Sequence, residues 1–146
     1  MPSDRAITVK LSDVVVAVDF VSFGEALDNA VVLHTATGQL LYAGDAIDSD
    51  EFPDDAYDNP IYIEIPSARD LDLGQRLVFT FTAQSLPERL EHVHHMFSRR
   101  GAYSRFKDLL TANGLIEQWY RFEEEALKSA VIEWCRANAI NVQLDT

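Results

Sequence analysis

From Leu115 to about Asn138, the residues Ile116, Trp119, Tyr120, Leu127, Ala130, Val131 and Trp134 define one helical stripe. A helix of that length runs ~36 Å at 1.5 Å per residue, roughly the width of a small domain. No other stretch constrains the fold as much, because shorter elements have to cover this stripe. Glu123 falls inside it, where a carboxylate is costly unless paired. Cys135, on its flank, has no neighbour in the sequence that would make it a nucleophile and reads as a small apolar filler.

The stretch before it, SRRGAYSRFKDLL, puts Arg99, Arg100, Arg105 and Lys107 within nine positions. Gly101 should break the preceding helix, and a new one should run from about Ala102 to Thr111 before Asn113-Gly114 closes it. Ala102, Tyr103, Phe106, Leu109 and Leu110 form its expected apolar face. Arg105 and Lys107 fall on opposite flanks of that face, about 160° apart at 3.6 residues per turn, so they do not readily converge on one phosphate. Arg105 is instead the natural partner for Glu123, and an Arg105–Glu123 ion pair is expected to lock the last two helices together. The alternative is an anion or nucleic-acid contact made by Arg99, Arg100, Gly101, Arg105 and Lys107, using free backbone N–H groups at the helix start. No preceding strand or glycine-rich loop supports that alternative.

Ser85-Leu86-Pro87-Glu88 matches a capping box opening a helix with Leu86, Leu90, Val93 and Phe97 on one stripe. Its other face would carry Glu88, Glu91, His92 and His95 at metal-compatible spacing. A solvated face of ion pairs is the simpler reading, since metal sites rarely sit on one exposed helix without supporting partners. No metal or cofactor is therefore expected. Nor does the sequence hold a G-x-S-x-G, Walker or H-E-x-x-H motif, so nothing signals an enzyme.

Towards the N-terminus, Leu11, Val14, Val18 and Val21 predict a helix over 11–23 with Ser12 as its N-cap. Ala30–Leu33 and Gln39–Ala43 flank Thr37-Gly38 as a β-hairpin, and a third strand is expected at 60–65. Residues 71–84 fit either helix or strand, with local propensity favouring strand. The expected fold is α+β: an N-terminal helix, a small antiparallel three-stranded sheet, then a bundle of three to four helices. At 146 residues it should form a single domain, 1–146.

Between strands two and three lies an acidic loop, 45–58, carrying Asp45, Asp48, Asp50, Glu51, Asp54, Asp55 and Asp58 with no base. It lacks the glycine and closing acid of a calcium loop, leaving a solvated loop or a partner-facing acidic patch. Residues 1–72 hold 15 acidic and 3 basic residues, whereas 73–146 hold 9 of each. That imbalance disfavours general nucleic-acid binding, which needs clustered cations. With a single cysteine and no apolar signal region in MPSDRAITVK, an intracellular location is expected; apolar runs are too short for a membrane span.

The run RRGAYSRFKDLLTANGLIEQWYRF, followed by a helix bearing Trp134, resembles the bacterial uncharacterised protein family 158. Arg100, Gly101, Ala102, Tyr103, Arg105, Phe106, Lys107, Asp108, Trp119, Tyr120 and Phe122 carry the likeness, with Arg99 in place of the family's first glycine. Tyr42 and Ile65-Pro66 extend it loosely. The resemblance implies an α+β domain in a bacterial cytoplasm, favours helix over 71–84, and implies no activity. The functional expectation is a non-catalytic protein-interaction or regulatory module. Its partner would be a basic protein surface or another copy of the chain, meeting the acidic patch. A nucleic-acid-linked regulator and, behind it, a metal-dependent hydrolase are the alternatives.

Overall fold

The computed structural model describes residues 7–23, 28–44 and 51–145. The architecture is α+β, with an N-terminal helix, a three-stranded antiparallel sheet and a run of C-terminal helices. The chain divides into two compact units, residues 1–71 with 128–146, and residues 72–127.

In the first unit, strand β1 (Thr8–Lys10) runs directly into helix α1 (Leu11–Phe23). Leu11, Val14, Ala17 and Val18 of α1 are buried, close to the expected stripe. Ser12 is not the N-cap: α1 starts one residue earlier, so Ser12 lies within the first turn. Its backbone N–H and hydroxyl both donate to the Asp145 carboxylate, with the N–H bond 2.9 Å long. A distant acid thus satisfies one of the orphan donors and sits favourably at the positive end of the helix.

Strands β2 (Ala30–His34) and β3 (Leu40–Ala43) form the expected hairpin, with Gly38 at φ +81° in the turn where a side chain would be strained. Strand β4 (Tyr62–Glu64) pairs antiparallel on the other edge of β2. The central strand β2 therefore buries Val31, Val32 and Leu33 in succession. Strand β5 (Asn141–Gln143) pairs parallel with β1, a two-stranded ribbon that the sequence reading missed. Cys135 is fully buried, and burial pushes its thiol up to about 11, in keeping with a packed filler.

The second unit begins with helix α2 (Gln75–Ser85). Strand alternation would have buried Leu77, Phe79 and Phe81. The structure buries Val78, Phe81 and Thr82, a helical i, i+3, i+4 set, and the Thr82 hydroxyl donates to the Val78 carbonyl at 2.7 Å. Contacts with the later helices override local propensity here. A single 3₁₀ turn (Pro87–Arg89) leads into helix α3 (Leu90–Met96). The expected capping box is not formed, because Ser85 is the last residue of α2 and Pro87 starts a separate turn without a side-chain cap. Helix α4 (Ala102–Ala112) follows Gly101 at φ +75°. Helix α5 (Ile116–Ala137) contributes its first part to this unit and its last part to the other.

The core of this second unit joins Val78, Phe81, Val93, Ala102, Phe106, Leu110 and Trp119. Phe106 and Phe81 approach Trp119 edge-on at 5.1 and 5.4 Å, a preferred aromatic arrangement. Two residues expected in the apolar faces are not covered: Tyr103 is 43% exposed and Tyr120 47%. They lie at the margin of the α4 and α5 stripes, where spacing alone does not show how wide the covered strip is.

Candidate functional site

Two regions carry the candidate residues, one in each unit. In the second unit Arg99 and Arg100 are exposed in the turn between α3 and α4. Arg105 is also exposed, and its guanidinium donates to the Arg100 carbonyl at 2.6 Å, folding back over Gly101. Lys107 points elsewhere, with its ammonium 5.8 Å from the centre of the Tyr120 ring. Arg105 is thus folded back towards Arg100 and held by backbone, while Lys107 lies by an aromatic face. Glu123 is half-buried; burial and, second to it, the Glu123 charge raise the Tyr103 hydroxyl above its ordinary pKa. The expected Arg105–Glu123 pair is open to a double-mutant cycle: coupling above about 0.5 kcal/mol supports it, and additivity rejects it.

His92 and His95 are exposed on α3, as is Glu91, while Glu88 belongs to the 3₁₀ turn and leaves the helical register expected for it. Among the described residues no group of three or more His, Cys, Asp or Glu side chains is placed to hold a metal ion. His94, which the sequence reading passed over, stacks on Phe79 at 3.8 Å between ring centres. Its spacing carried no signal, since the stacking partner lies on α2.

The first unit holds the acidic residues. Its sixteen acidic and five basic residues give net −11, against −1 for the second unit. Asp45, Asp48 and Asp50 lie outside the described residues. Glu51, Asp54, Asp55 and Asp58 are exposed, yet the backbone beneath them is organised. Ala56 is buried and Phe52 half-buried against Val32 and Leu41 of the sheet, anchoring the segment from below. The Asp55 carbonyl accepts from the N–H groups of Asp58 (3.1 Å) and Asn59 (2.9 Å), and the Asp55 carboxylate accepts from the Asn59 amide. Asn59 in turn accepts from the Ile61 N–H, handing the chain into β4. The apolar residues Phe52 and Ala56, four apart among the acids, are the only sequence sign of this anchoring.

Beside the segment lies an open cleft of about 520 Å³, lined in part by Tyr57, Asp28, Asn29, Glu64, Ser67 and Asp70. Burial and the Glu64 charge raise the Tyr57 hydroxyl above its ordinary pKa. Ser67 and Asp70 cap each other reciprocally: the Ser67 N–H donates to the Asp70 carboxylate (3.2 Å) and the Asp70 N–H to the Ser67 hydroxyl (3.1 Å). The Ala68 N–H donates to Ser22 Oγ at 2.7 Å, tying this turn to α1. The S-x-x-acid geometry expected at Ser85–Glu88 is therefore realised at Ser67–Asp70. Chemically, the cleft and segment together favour cationic groups, since their carboxylates accept hydrogen bonds from lysine and arginine.

Fold and site define a two-unit α+β chain with an anchored acidic surface. The model of the uncharacterised protein family UPF0158 matches residues 69–146, and the chain belongs to that family. The match spans α2 to the end of the chain and leaves out the sheet and the acidic segment. No curated protein and no solved structure matches the chain.

Proposed function

We propose that this protein is a non-catalytic interaction module of the bacterial cytoplasm whose acidic surface, Glu51 to Asp58 with the adjoining cleft, receives a basic surface of a partner protein. The observation that carries the reading is the anchoring of that segment by Ala56 and Phe52. A mobile acidic loop loses conformational entropy when it binds, whereas a segment already folded onto a sheet has lost most of it in advance. Clustered like charge with an apolar anchor below steers a basic partner and fixes its register more than it supplies affinity. Among the described residues, no helix is long and apolar enough to cross a membrane.

Cross-linking in extracts of the protein's own cells tests this reading, with Asp54, Asp55 and Asp58 changed to Asn as the comparison. Cross-links to a basic protein should map to 51–58, weaken several-fold between about 50 and 500 mM salt, and fall in the triple variant. Cross-links that persist unchanged in the variant would reject it.

A second reading, a nucleic-acid-linked regulator, draws support from one observation: Tyr103 is partly exposed on the first turn of α4, three residues from Arg100. An exposed ring near arginines can stack a base. Loss of single-strand binding at low salt on changing Arg99 and Arg100 to Ala, with the acidic triple variant unaffected, would favour this reading over the first.

A further inference from the structure

Helix α1 carries two apolar seams, and among the described residues only one is covered. Leu11, Val14, Ala17 and Val18 face inward within an arc of about 120° at 100° per residue. Val16, Phe20 and Phe23, spaced i, i+4, i+7, fall within about 60° of arc on the other side. Val16 is 58% exposed and Phe23 88%, while Phe20 is half-buried, its ring held edge-on to Tyr42 at 5.1 Å. A helix with apolar seams on two opposite sides normally lies between two packed layers. Here the second layer is not supplied by the described residues.

Charge specifies what would supply it. The α1 sequence contains two acids, Asp13 and Asp19, and no base. Both acids are exposed, one on either side of the Val16–Phe20–Phe23 seam. The last turn of α1 has no basic residue to complement the negative end of its dipole. An α1–α1 contact between two copies related by a two-fold axis would place carboxylates of both copies, Asp19 above all, near the axis without a counter-charge, which disfavours the chain as its own partner.

We propose that the outward seam of α1 docks an amphipathic helix of a partner protein, with apolar residues at i, i+3/i+4 and i+7 on Val16, Phe20 and Phe23 and lysine or arginine flanking them towards Asp13 and Asp19. This is helix-on-helix recognition with paired charges at the edges. It is distinct from the acidic segment and does not depend on it.

The test uses the full chain and a labelled peptide of about 18 residues, long enough to be helical when bound, with leucine along one seam and lysine on its flanks. A second peptide carries glutamate for lysine. Anisotropy should show the lysine peptide binding and the glutamate peptide failing to bind. The V16Q/F23Q double variant, whose exposed positions leave the circular dichroism unchanged, should weaken binding at least about tenfold. D54N/D55N/D58N should change it by less than about threefold, the size of a long-range charge effect. Equal affinity in V16Q/F23Q overturns the proposal, as does loss of binding confined to D54N/D55N/D58N. A peptide-free dimer that V16Q/F23Q abolishes would also overturn it, by assigning the seam to a second copy.

Discussion

Asp145 follows β5 in the chain but acts on the first turn of α1, where its carboxylate accepts both the Ser12 N–H and the Ser12 hydroxyl. Those bonds hold the Asp145 carboxyl below the usual carboxylate pKa. A folded-state pKa below the unfolded one means stabilisation that is present above the unfolded value and lost as pH falls through the folded value. Asp145→Asn should therefore lower the thermal midpoint at pH 7, and the gap to the native protein should close on acidification. A gap that is constant with pH would show that the carboxylate charge is not involved. Cys135 makes a second residue-scale prediction. With no exposed surface and its thiol raised to about 11, it should resist a thiol reagent at neutral pH in the native protein and react once the chain is denatured. Rapid native reaction would contradict the packing described for it.

At the level of elements, two testable consequences come from helix ends. Helices α4 and α5 close with the same hydrogen-bond pair. The Leu115 N–H donates to the Leu110 carbonyl and the Gly114 N–H to that of Thr111; Ile140 and Ala139 repeat this on Cys135 and Arg136. The residue that turns the chain is left-handed in both, Gly114 at φ +69° and Ala139 at φ +58°. Alanine is disfavoured there by roughly 1 kcal/mol, so Ala139→Gly should stabilise the protein by up to about that amount in denaturant melts. At the other end of α4, Gly101→Ala should cost roughly 1 kcal/mol from its positive φ alone, because an added Cβ would meet Arg105 only at an ordinary 3.5 Å. Gly101 and Gly114 are readable as punctuation because glycine takes positive φ without strain, although α3 already ends at Met96, before Gly101 is reached. Ser12 and Ser85 are less legible for the opposite reason. Serine caps depend on which residue the helix starts from, and the acceptor for Ser12 lies 133 residues away in sequence. The β1–β5 ribbon was invisible on the same ground: three-residue strands brought together from the two ends of the chain show no local period.

For the whole molecule, the division of charge is the feature that the sequence shows most plainly, and the fold gives it a location. A total of −12 is carried almost entirely by one compact unit, while the other is close to neutral despite its arginines. What the sequence could not show was that Phe52 and Ala56 pin the acidic segment to β2 and β3, or that the described residues leave a second apolar seam of α1 uncovered, since both depend on which neighbours fill the space around them. The basic stretch drew notice for its density of charge, yet folding spends Arg105 on a backbone carbonyl and lays Lys107 near an aromatic ring. The central claim, that this chain works by holding another protein, is most directly tested by native mass spectrometry of the protein purified at low salt from its own cells. The account predicts a complex with a second, basic protein that dissociates as salt is raised. Nucleic acid or metal bound in place of a protein partner would contradict it.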